Sequence, residues 1–309
     1  MAITGVMRPG HFQMRVLDLE ESVRFYGEVL GLIETGRDKE GRVYFKAWDE
    51  RDHHSLILRS ADRAGVDFIG FKVTDKQTLD RFEAELKAYG VKTERIRSGE
   101  LLETGERVRF EIPTGHMVEL YAEKSHVGNG MFDLNPAPWA PAAERGIGPI
   151  RYDHCLLYGP DIDGARKIFC EVLGFYLVEH LLLEDGKSDL AIWLACANKA
   201  HDIAFVRHPE PGKLHHVSFL LDSWEKVLRA ADICSMNRVT IDFGPSRHGA
   251  TRGTTLYALD PSGNRVETFS GGYQTYPDIR PITWSFEEAG AAVHYHDRKV
   301  NERFLAVVT

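Results

Sequence analysis

An internal repeat is the sequence feature that most restricts how this chain can fold. The segment RFYGEVLGL (24–32) resembles KIFCEVLGF (167–175) at an offset of 143 residues (167 − 24). The segment IPTGHMVELYA (112–122) resembles DPSGNRVETFS (260–270) at an offset of 148 residues (260 − 112). Because a repeat that runs through a whole chain reports a duplicated structural unit, we predict two related halves with one fold.

The two halves are separated by a segment rich in Pro, Ala and Gly, which is typical of a linker. We predict an N-terminal scaffold domain at residues 1–135, a linker at 136–149 and a C-terminal domain at 150–275. Residues 276–309 form a tail, which we expect to cover the mouth of a pocket in the C-terminal domain. A chain of 309 residues suits two domains of ordinary size.

Each half divides again into two units in which a strand precedes a helix and further strands follow. Apolar residues recur at helical spacing in four segments, LEESVRFYGEVLG (19–31), KQTLDRFEAELKAYG (76–90), GARKIFCEVLG (164–174) and WEKVLRAADICSM (224–236). Short β-rich runs such as RVYFKAW and TTLYALD follow the helices. The sequence therefore predicts an α+β fold of four β-α-β-β-β modules, paired into two cup- or barrel-like domains that enclose pockets.

The bulk composition argues against nucleic-acid and membrane partners. The formal net charge is −8 (38 basic minus 46 acidic residues), which disfavours contact with a phosphate backbone. We see no apolar run of about 18 residues that would span a bilayer, and no secretory signal. The four cysteines are scattered and form no C-x-x-C pair, so we expect reduced thiols with packing roles in a cytoplasmic protein.

Three polar residues on separate predicted strands point to a metal site. In LHHVSFLL (214–221) side chains alternate between two faces, so His215 should join Val217, Phe219 and Leu221 under the helix while His216 faces the cup. His154 begins the third module and Glu267 lies on the closing strand of the fourth, at gaps of 62 (216 − 154) and 51 (267 − 216) residues. Ordinary buried histidines are the alternative.

These gaps are too wide for a zinc finger or an H-E-x-x-H helix, but they suit three strands that converge on one axis. Two imidazoles and one carboxylate form the facial triad that is typical of non-heme Fe(II) oxygen chemistry.

The repeat supplies an internal comparison for this metal site. His11 corresponds to His154 and Glu119 to Glu267, but His216 corresponds to Phe68. The first half therefore lacks the middle ligand, and we predict that it binds no metal. His11 and Glu119 are either remnants or partners of neighbouring side chains.

The stretch from His248 to Glu267, H-x7-L-Y-A-L-D-P-S-G-N-R-V-E, carries a resemblance to a known family. Together with KAHDIAF (199–205) and KLHHVSF (213–219), it resembles the extradiol ring-cleaving dioxygenases of the vicinal oxygen chelate superfamily, and among them the branch that cleaves catechol. The resemblance extends over essentially the whole chain.

The resemblance implies a role for each matching residue. The expected ligands of Fe(II), with Mn(II) as the less expected metal, are His154, His216 and Glu267. The expected catalytic groups are His201, as acid–base residue, and His248 and Tyr257, which would also bind the substrate oxygens. Expected pocket walls are Trp193, Ala250 and Phe304, with core packing as the alternative for Trp193 and Phe304. No organic cofactor is expected.

The resemblance also implies an activity. We expect extradiol cleavage of catechol or alkyl-substituted catechols by O2 to a 2-hydroxymuconic semialdehyde, in aromatic-compound degradation, by a homotetramer. A bulkier substrate such as 2,3-dihydroxybiphenyl is the alternative. Two other classes remain open, a metal-dependent lyase, isomerase or thiol transferase of the same superfamily, and a non-catalytic binding module.

Overall fold

The computed structural model describes residues 5–306 and residue 309, and this part of the chain is built on two large β-sheets. The first sheet contains β1 (Val6–Val16), β2 (Ile33–Arg37), β3 (Val43–Lys46), β4 (Leu56–Ser60), β5 (Gly65–Val73), β6 (Thr93–Ile96), β7 (Arg107–Glu111) and β8 (Met117–Tyr121). The second contains β9 (Arg151–Gly159), β10 (Tyr176–Leu182), β11 (Asp189–Ala195), β12 (Ile203–Arg207), β13 (Lys213–Leu220), β14 (Ile241–Arg247), β15 (Gly253–Leu259), β16 (Arg265–Gly271) and β17 (Ile282–Trp284).

One helix follows the first strand of each module, as predicted. These are α1 (Leu19–Arg24), α2 (Lys76–Ala88), α3 (Ile162–Lys167) and α4 (Trp224–Met236). Each begins after a residue whose side chain accepts a hydrogen bond from a backbone N–H three positions later, namely Asp18, Asp75, Asp161 and Ser223. The repeated E-V-L-G motif has the same local structure in both halves, because α1 and α3 each continue into a π-helical turn, Phe25–Val29 and Ile168–Val172.

The tail beyond β17 contains α5 (Ala289–Val293) and α6 (Glu302–Ala306). In the part of the chain that the structure describes, no helix has the length and apolar character needed to cross a membrane.

The four-module architecture is confirmed by the strand pairing. The first strands of the two modules of each half lie side by side and antiparallel, β1 with β5 and β9 with β13. Each of them also pairs in parallel with the last strand of its own module, β4, β8, β12 or β16. The resulting order in the second sheet is β14-β15-β16-β13-β9-β12-β11-β10-β17, where the tail strand β17 extends one edge.

A continuous apolar core holds the two halves together. Side chains from both sheets and from the helices beneath them belong to one buried cluster. Across the boundary, the Phe12 ring lies 4.7 Å from Tyr152 and 6.1 Å from Phe219. Phe71 of the first half packs against Phe169 and Phe175 of the second, at ring distances of 5.9 and 5.4 Å. Because the helices and this core cover one face of each sheet, the opposite face is left to form a pocket.

The repeated turn has a structural role that its sequence alone does not show, since each copy contacts the other half. In the second half, the fully buried Asn264 accepts a hydrogen bond from Gly65 N (2.8 Å) and donates to the Arg15 carbonyl (3.0 Å). Its neighbour Asp260 accepts from the Tyr26 hydroxyl at 3.0 Å.

The first-half copy makes the reciprocal contact. Gly212 N donates to the Thr114 carbonyl at 2.8 Å, and Nε2 of His116 donates to the Lys213 carbonyl at 3.0 Å. The turn motif is therefore repeated because both halves need it as a docking element.

We predict that Asn264→Ala lowers the free energy of unfolding by about 2–3 kcal/mol, because it leaves buried backbone groups of Gly65 and Arg15 without partners. Denaturant unfolding at fixed pH measures this difference. Ser262→Ala is the matched control, since the Ser262 hydroxyl accepts from Leu17 N at an exposed part of the same turn, and its cost should stay within about 0.5 kcal/mol. Equal costs for the two variants would contradict the docking role.

Candidate metal centre and active site

The strand order brings the three predicted ligands together. His154, His216 and Glu267 lie on β9, β13 and β16, which are adjacent in the sheet. Ser218 is the register partner of both His154 and Glu267, so these two residues stand on either side of β13 at one level. One ligating atom from each of the three lies within 4.8 Å of the others, and all three residues are buried. Among residues 5–306 and 309, no other group of three His, Cys, Asp or Glu side chains brings its ligating atoms this close together.

The hydrogen bonding of this group leaves a position for a cation. Nε2 of His154 lies 2.9 Å from Oε2 of Glu267, and Nε2 of His216 lies 3.4 Å from the same oxygen. The His216 nitrogen is buried and makes no hydrogen bond with any described residue. Buried polar atoms without partners are rare in native proteins, and a bound metal would satisfy this one. Two imidazoles and one carboxylate fit Fe(II) or Mn(II).

Charge at the site follows from burial and from the neighbours. Burial lowers the pKa of the His216 imidazole to about 3, so its ring is neutral and can act as a ligand. Burial opposes the charged forms of both His154 and Glu267. For His154, the hydrogen bonds to Asp153 and then to Glu267 outweigh burial, and for Glu267 the electrostatic attraction of His216 and the hydrogen bond from His154 do so. The pKa of His154 therefore lies above its usual value, and the pKa of Glu267 lies well below.

A buried network behind His154 fixes both a ligand and the loop that carries His201. Asp153 accepts from Nδ1 of His154 at 3.0 Å, which directs Nε2 toward the site. Lys199 bridges Asp153 (2.8 Å) and Asp202 (3.1 Å), and the His201 ring lies 3.9 Å from the His154 ring. Burial, followed by the charges of His154 and Lys199, holds the pKa of His201 well below its usual range.

Sequence reasoning missed Asp153 and Lys199, because strand alternation places Asp153 on the opposite face from His154. It also missed Thr255, whose hydroxyl donates to Oε1 of Glu267. Thr255 lies two residues before Tyr257 on β15, so the period-two rule could have placed both on the same face.

His248 and Tyr257 form a hydrogen-bonded pair beside the ligands. Nε2 of His248 lies 2.8 Å from the Tyr257 hydroxyl, and Tyr257 is the register partner of Glu267 on the next strand. Nδ1 of His248 donates to the carbonyl of Val293 in α5, so the tail holds this ring. Burial raises the pKa of Tyr257 well above its usual value, and the hydroxyl therefore remains protonated.

The prediction that His215 packs under the helix is wrong. Val217, Phe219 and Leu221 do lie in the main core, but β13 has an irregular register between Leu214 and His216. This bulge breaks the alternation, so His215 turns to the same side as His216, with 2.6 Å between their Nδ1 atoms. Its ring contacts Phe304 at a ring distance of 4.7 Å, and it lines the cavity.

All the predicted site residues line one cavity of about 720 Å³. They are His154, Trp193, His201, His216, His248, Ala250, Tyr257, Glu267 and Phe304. Residues of the tail, including Phe286, Ala292 and Val293, form part of the same wall. Phe304 packs against Tyr257 at a ring distance of 4.7 Å, and Ala250 is almost completely buried.

The corresponding place in the first half is filled by the side chains of Arg107 and Lys124. Nε2 of His11 lies 3.3 Å from Glu119, as in the second half, but Arg107 donates to both Glu119 oxygens at 3.0 and 2.9 Å. Lys124 Nζ lies 2.7 Å from Nδ1 of His11. Phe68, in place of a histidine, packs edge-on against His11. His11 and Glu119 thus pair with neighbouring side chains.

Comparison with known proteins agrees with this geometry. Residues 66–125 match the model of the catechol 2,3-dioxygenase-like N-terminal domain, and residues 151–268 match that of the Glyoxalase/Bleomycin resistance protein/Dioxygenase superfamily. The chain is 52% identical to the metapyrocatechase of Pseudomonas sp. (strain CF600) over 306 residues, 99% of each chain. It is 33% identical to the manganese-dependent 2,3-dihydroxybiphenyl 1,2-dioxygenase of Geobacillus genomosp. 3, over 90% of each chain.

Among solved structures, the 2,3-dioxygenase LapB from Pseudomonas sp. KL28 superposes with a TM-score of 0.91. The two chains are 66% identical, and the match covers 92% of this chain and 99% of that one. The protein therefore belongs to the metapyrocatechase family of extradiol dioxygenases.

Proposed function

We propose that this extradiol dioxygenase cleaves catechol or alkyl-substituted catechols with O2 to a 2-hydroxymuconic semialdehyde, with Fe(II) bound by His154, His216 and Glu267. The observation that carries the proposal is the convergence of these three side chains in one cavity that also holds His201 and the His248–Tyr257 pair. The lyase, transferase and binding-module alternatives do not account for this added set of proton-transfer groups.

Ligand charge favours a catechol that has lost one proton. A bound ion would displace the proton that the raised pKa of His154 favours, so that both histidines bind as neutral imidazoles. With the Glu267 carboxylate they would leave a divalent ion with one positive charge, which a monoanionic diol neutralises. When bound, the ion supplies Lewis acidity toward the diol oxygens and the redox capacity for reaction with O2. The ligand set accepts both Fe(II) and Mn(II), and one relative is named manganese-dependent. The choice of Fe(II) is therefore a proposal.

His248 and Tyr257 are proposed to orient the catechol. Because Nδ1 of His248 donates to the Val293 carbonyl, Nε2 carries the lone pair and can accept a proton from a substrate hydroxyl. The protonated Tyr257 hydroxyl can donate to a substrate oxygen instead of to His248. Together they fix the ring in one orientation above the ligands.

His201 is proposed as the group that moves a proton at the reacting oxygen. It is buried, lies against His154 and lines the cavity. Its loop precedes β12 on one side of the ligand strands, whereas Tyr257 lies on β15, and His248 in the loop before β15, on the other side. Its lowered pKa keeps the imidazole neutral, so a ring nitrogen can accept a proton and then return it to the reacting oxygen.

Cavity size and lining support a substituted catechol. A volume of about 720 Å³ exceeds what one six-membered ring needs, and the space is walled by apolar side chains such as Leu181, Ala191, Trp193 and Ala250. The bulkier alternative, 2,3-dihydroxybiphenyl, is favoured by the same volume.

Rates with catechol, 3- and 4-alkylcatechols and 2,3-dihydroxybiphenyl under air distinguish these substrates, with the yellow product and O2 consumption as readouts. No yellow product from any of them would refute the proposal.

We also propose that the protein is a homotetramer and that it lies in the cytoplasm. The end of the first half exposes Phe132 and Leu134, and the linker exposes Trp139; contact between subunits would cover these apolar side chains. The cysteines are free thiols, as expected in a reducing compartment.

We predict that His201→Asn lowers kcat by about 10² to 10⁴, because the proton transfer at the reacting oxygen loses its catalyst. Metal content should stay near that of the wild-type enzyme, since His201 is not a ligand. Steady-state kinetics and metal analysis of the same preparation test this. His126→Asn, at an exposed histidine of the first half, is the control and should leave kcat unchanged. Wild-type kcat in His201→Asn would refute the assignment.

We predict one metal ion per chain, and its loss in His216→Ala. Glu119→Gln removes the matching carboxylate in the first half and should retain the metal, because Arg107 and Lys124 occupy that place. Elemental analysis of anaerobically purified protein measures both variants. Two ions per chain, or metal loss in Glu119→Gln with the fold intact, would contradict the proposal that the first half binds no metal.

We predict that Ala250→Leu reduces kcat/KM for 4-alkylcatechols about tenfold more than for catechol, because the larger side chain fills space that an alkyl group needs. Parallel measurement of kcat/KM with the two substrates gives the ratio. An equal loss with both substrates would show that Ala250 does not limit pocket size.

A further inference from the structure

A buried carboxylate behind the cavity wall has no part in the proposed chemistry. Glu179 lies on β10 and is 1% exposed. Its Oε1 accepts from Thr251 N at 2.7 Å and from the Tyr273 hydroxyl at 2.5 Å, and its Oε2 accepts from Nε1 of Trp284 at 2.8 Å. The three donors come from three segments that are distant in sequence, so Glu179 joins them.

The hydrogen bonds that Glu179 accepts all come from these neutral donors. Among the described residues, no cationic side chain forms an ion pair with it, in contrast to Glu119. A buried carboxylate without hydrogen bonds is strongly destabilised, and bonds to an ionised acceptor are stronger than neutral ones. The loop that supplies Thr251 N and the tail that supplies Trp284 are therefore held together at one point.

The loop fixed in this way carries two of the proposed site residues. Residues 248–252 connect β14 to β15, and Thr251 and Arg252 have φ angles of +61° and +58°, a region that non-glycine residues rarely adopt. Backbone strain of this kind persists only when surrounding contacts hold it. The hydrogen bond from Thr251 N to Glu179 is such a contact, and His248 and Ala250 precede it in the same loop.

The tail packs against this loop without spare room. Gly249 N and Ala250 N both donate to the Ala292 carbonyl, at 3.0 and 2.9 Å. A Cβ atom at Gly249 would lie 2.4 Å from the Ala291 carbonyl oxygen and 3.0 Å from the Trp284 ring. The Ala291 carbonyl and the Trp284 ring therefore pack directly against the loop that carries His248.

We infer that Glu179 is a positioning residue for the ring-cleavage reaction, which locks the tail to the 248–252 loop and thereby fixes His248 and the Ala250 wall against the substrate. The inference rests on the proposed function, because the contact between His248 and the substrate is part of that proposal. Glu179 itself touches neither substrate nor metal ligands and acts through the loop.

The substitution Glu179→Gln tests this lock with minimal change in shape. The glutamine oxygen can replace Oε1 and accept from Thr251 N and Tyr273. Its NH2 group would then face the indole N–H of Trp284, and because both groups are donors, no hydrogen bond would form between them. We expect kcat/KM for catechol to fall about tenfold or more, as misplacement of an orienting group does, with metal content unchanged. Trypsin cleavage after Arg298 or Lys299, both exposed in the tail, should accelerate about threefold.

A second substitution should reverse the effect. Trp284→Phe removes the indole donor, so Glu179→Gln/Trp284→Phe should recover much of the kcat/KM that Glu179→Gln alone loses. Thr283→Val is the control, because it removes the hydrogen bond between Thr283 and His180 of β10 (2.8 Å), which does not involve the 248–252 loop. It should stay within about twofold of the wild-type kcat/KM.

Three results would overturn the inference. They are a kcat/KM within about twofold of wild type in Glu179→Gln, no recovery in the double variant, and a loss in Thr283→Val equal to that in Glu179→Gln. If the wild-type enzyme fails to cleave catechol, the proposed function fails. The trypsin assay then still decides whether Glu179 holds the tail, since unchanged tail cleavage in Glu179→Gln would overturn the inference independently.

Discussion

Each half buries a glutamate at the same place, Glu119 in the first and Glu267 in the second, and its negative charge must be balanced. The side chains around each glutamate meet this requirement in different ways. Moving a carboxylate out of water is costly unless opposite charge and hydrogen bonds replace the lost solvation. In the first half, hydrogen bonds from His11 and the charge of Arg107 overcome burial and lower the pKa of Glu119 to about 2. In the second half, Glu267 contacts the imidazoles of His154 and His216 and accepts a hydrogen bond from the Thr255 hydroxyl, and Nε2 of His248 lies 3.8 Å from Oε1.

This difference in the partners of the two glutamates distinguishes the two halves of the duplicated fold. Arg107 donates to both oxygens of Glu119, and Lys124 lies against His11, so protein side chains fill the first site, in agreement with the proposal that the first half binds no metal. Among the residues that the structure describes, no arginine or lysine forms an ion pair with Glu267, as the proposed metal site requires. The docking turns then make the halves depend on each other, because Asn264 of the second half completes backbone hydrogen bonds of the first.

The repeat and the period-two pattern of strands were enough to predict the modules and the convergence of His154, His216 and Glu267. The same alternation failed at His215, because a bulge in β13 adds a residue that no residue type in LHHVSFLL marks. Lys199 could not be predicted either, because its two carboxylate partners come from a strand and a loop whose approach is set by tertiary packing. Periodicity describes one element at a time, whereas these contacts join several.

The tail lies outside the repeat, and this explains why the two halves differ most at the cavity. Strand β17 extends the second sheet beside β10, and α5 supplies the carbonyl that holds Nδ1 of His248. Glu179 ties that addition to the loop of His248 through Trp284 and Thr251. Duplication therefore supplied the common fold and the carboxylate, while the orientation of His248, which is proposed to bind the substrate, depends on a segment outside the repeat. A site built in this way can change its pocket walls through the tail and its loop without disturbing the three metal-ligand positions on the central strands.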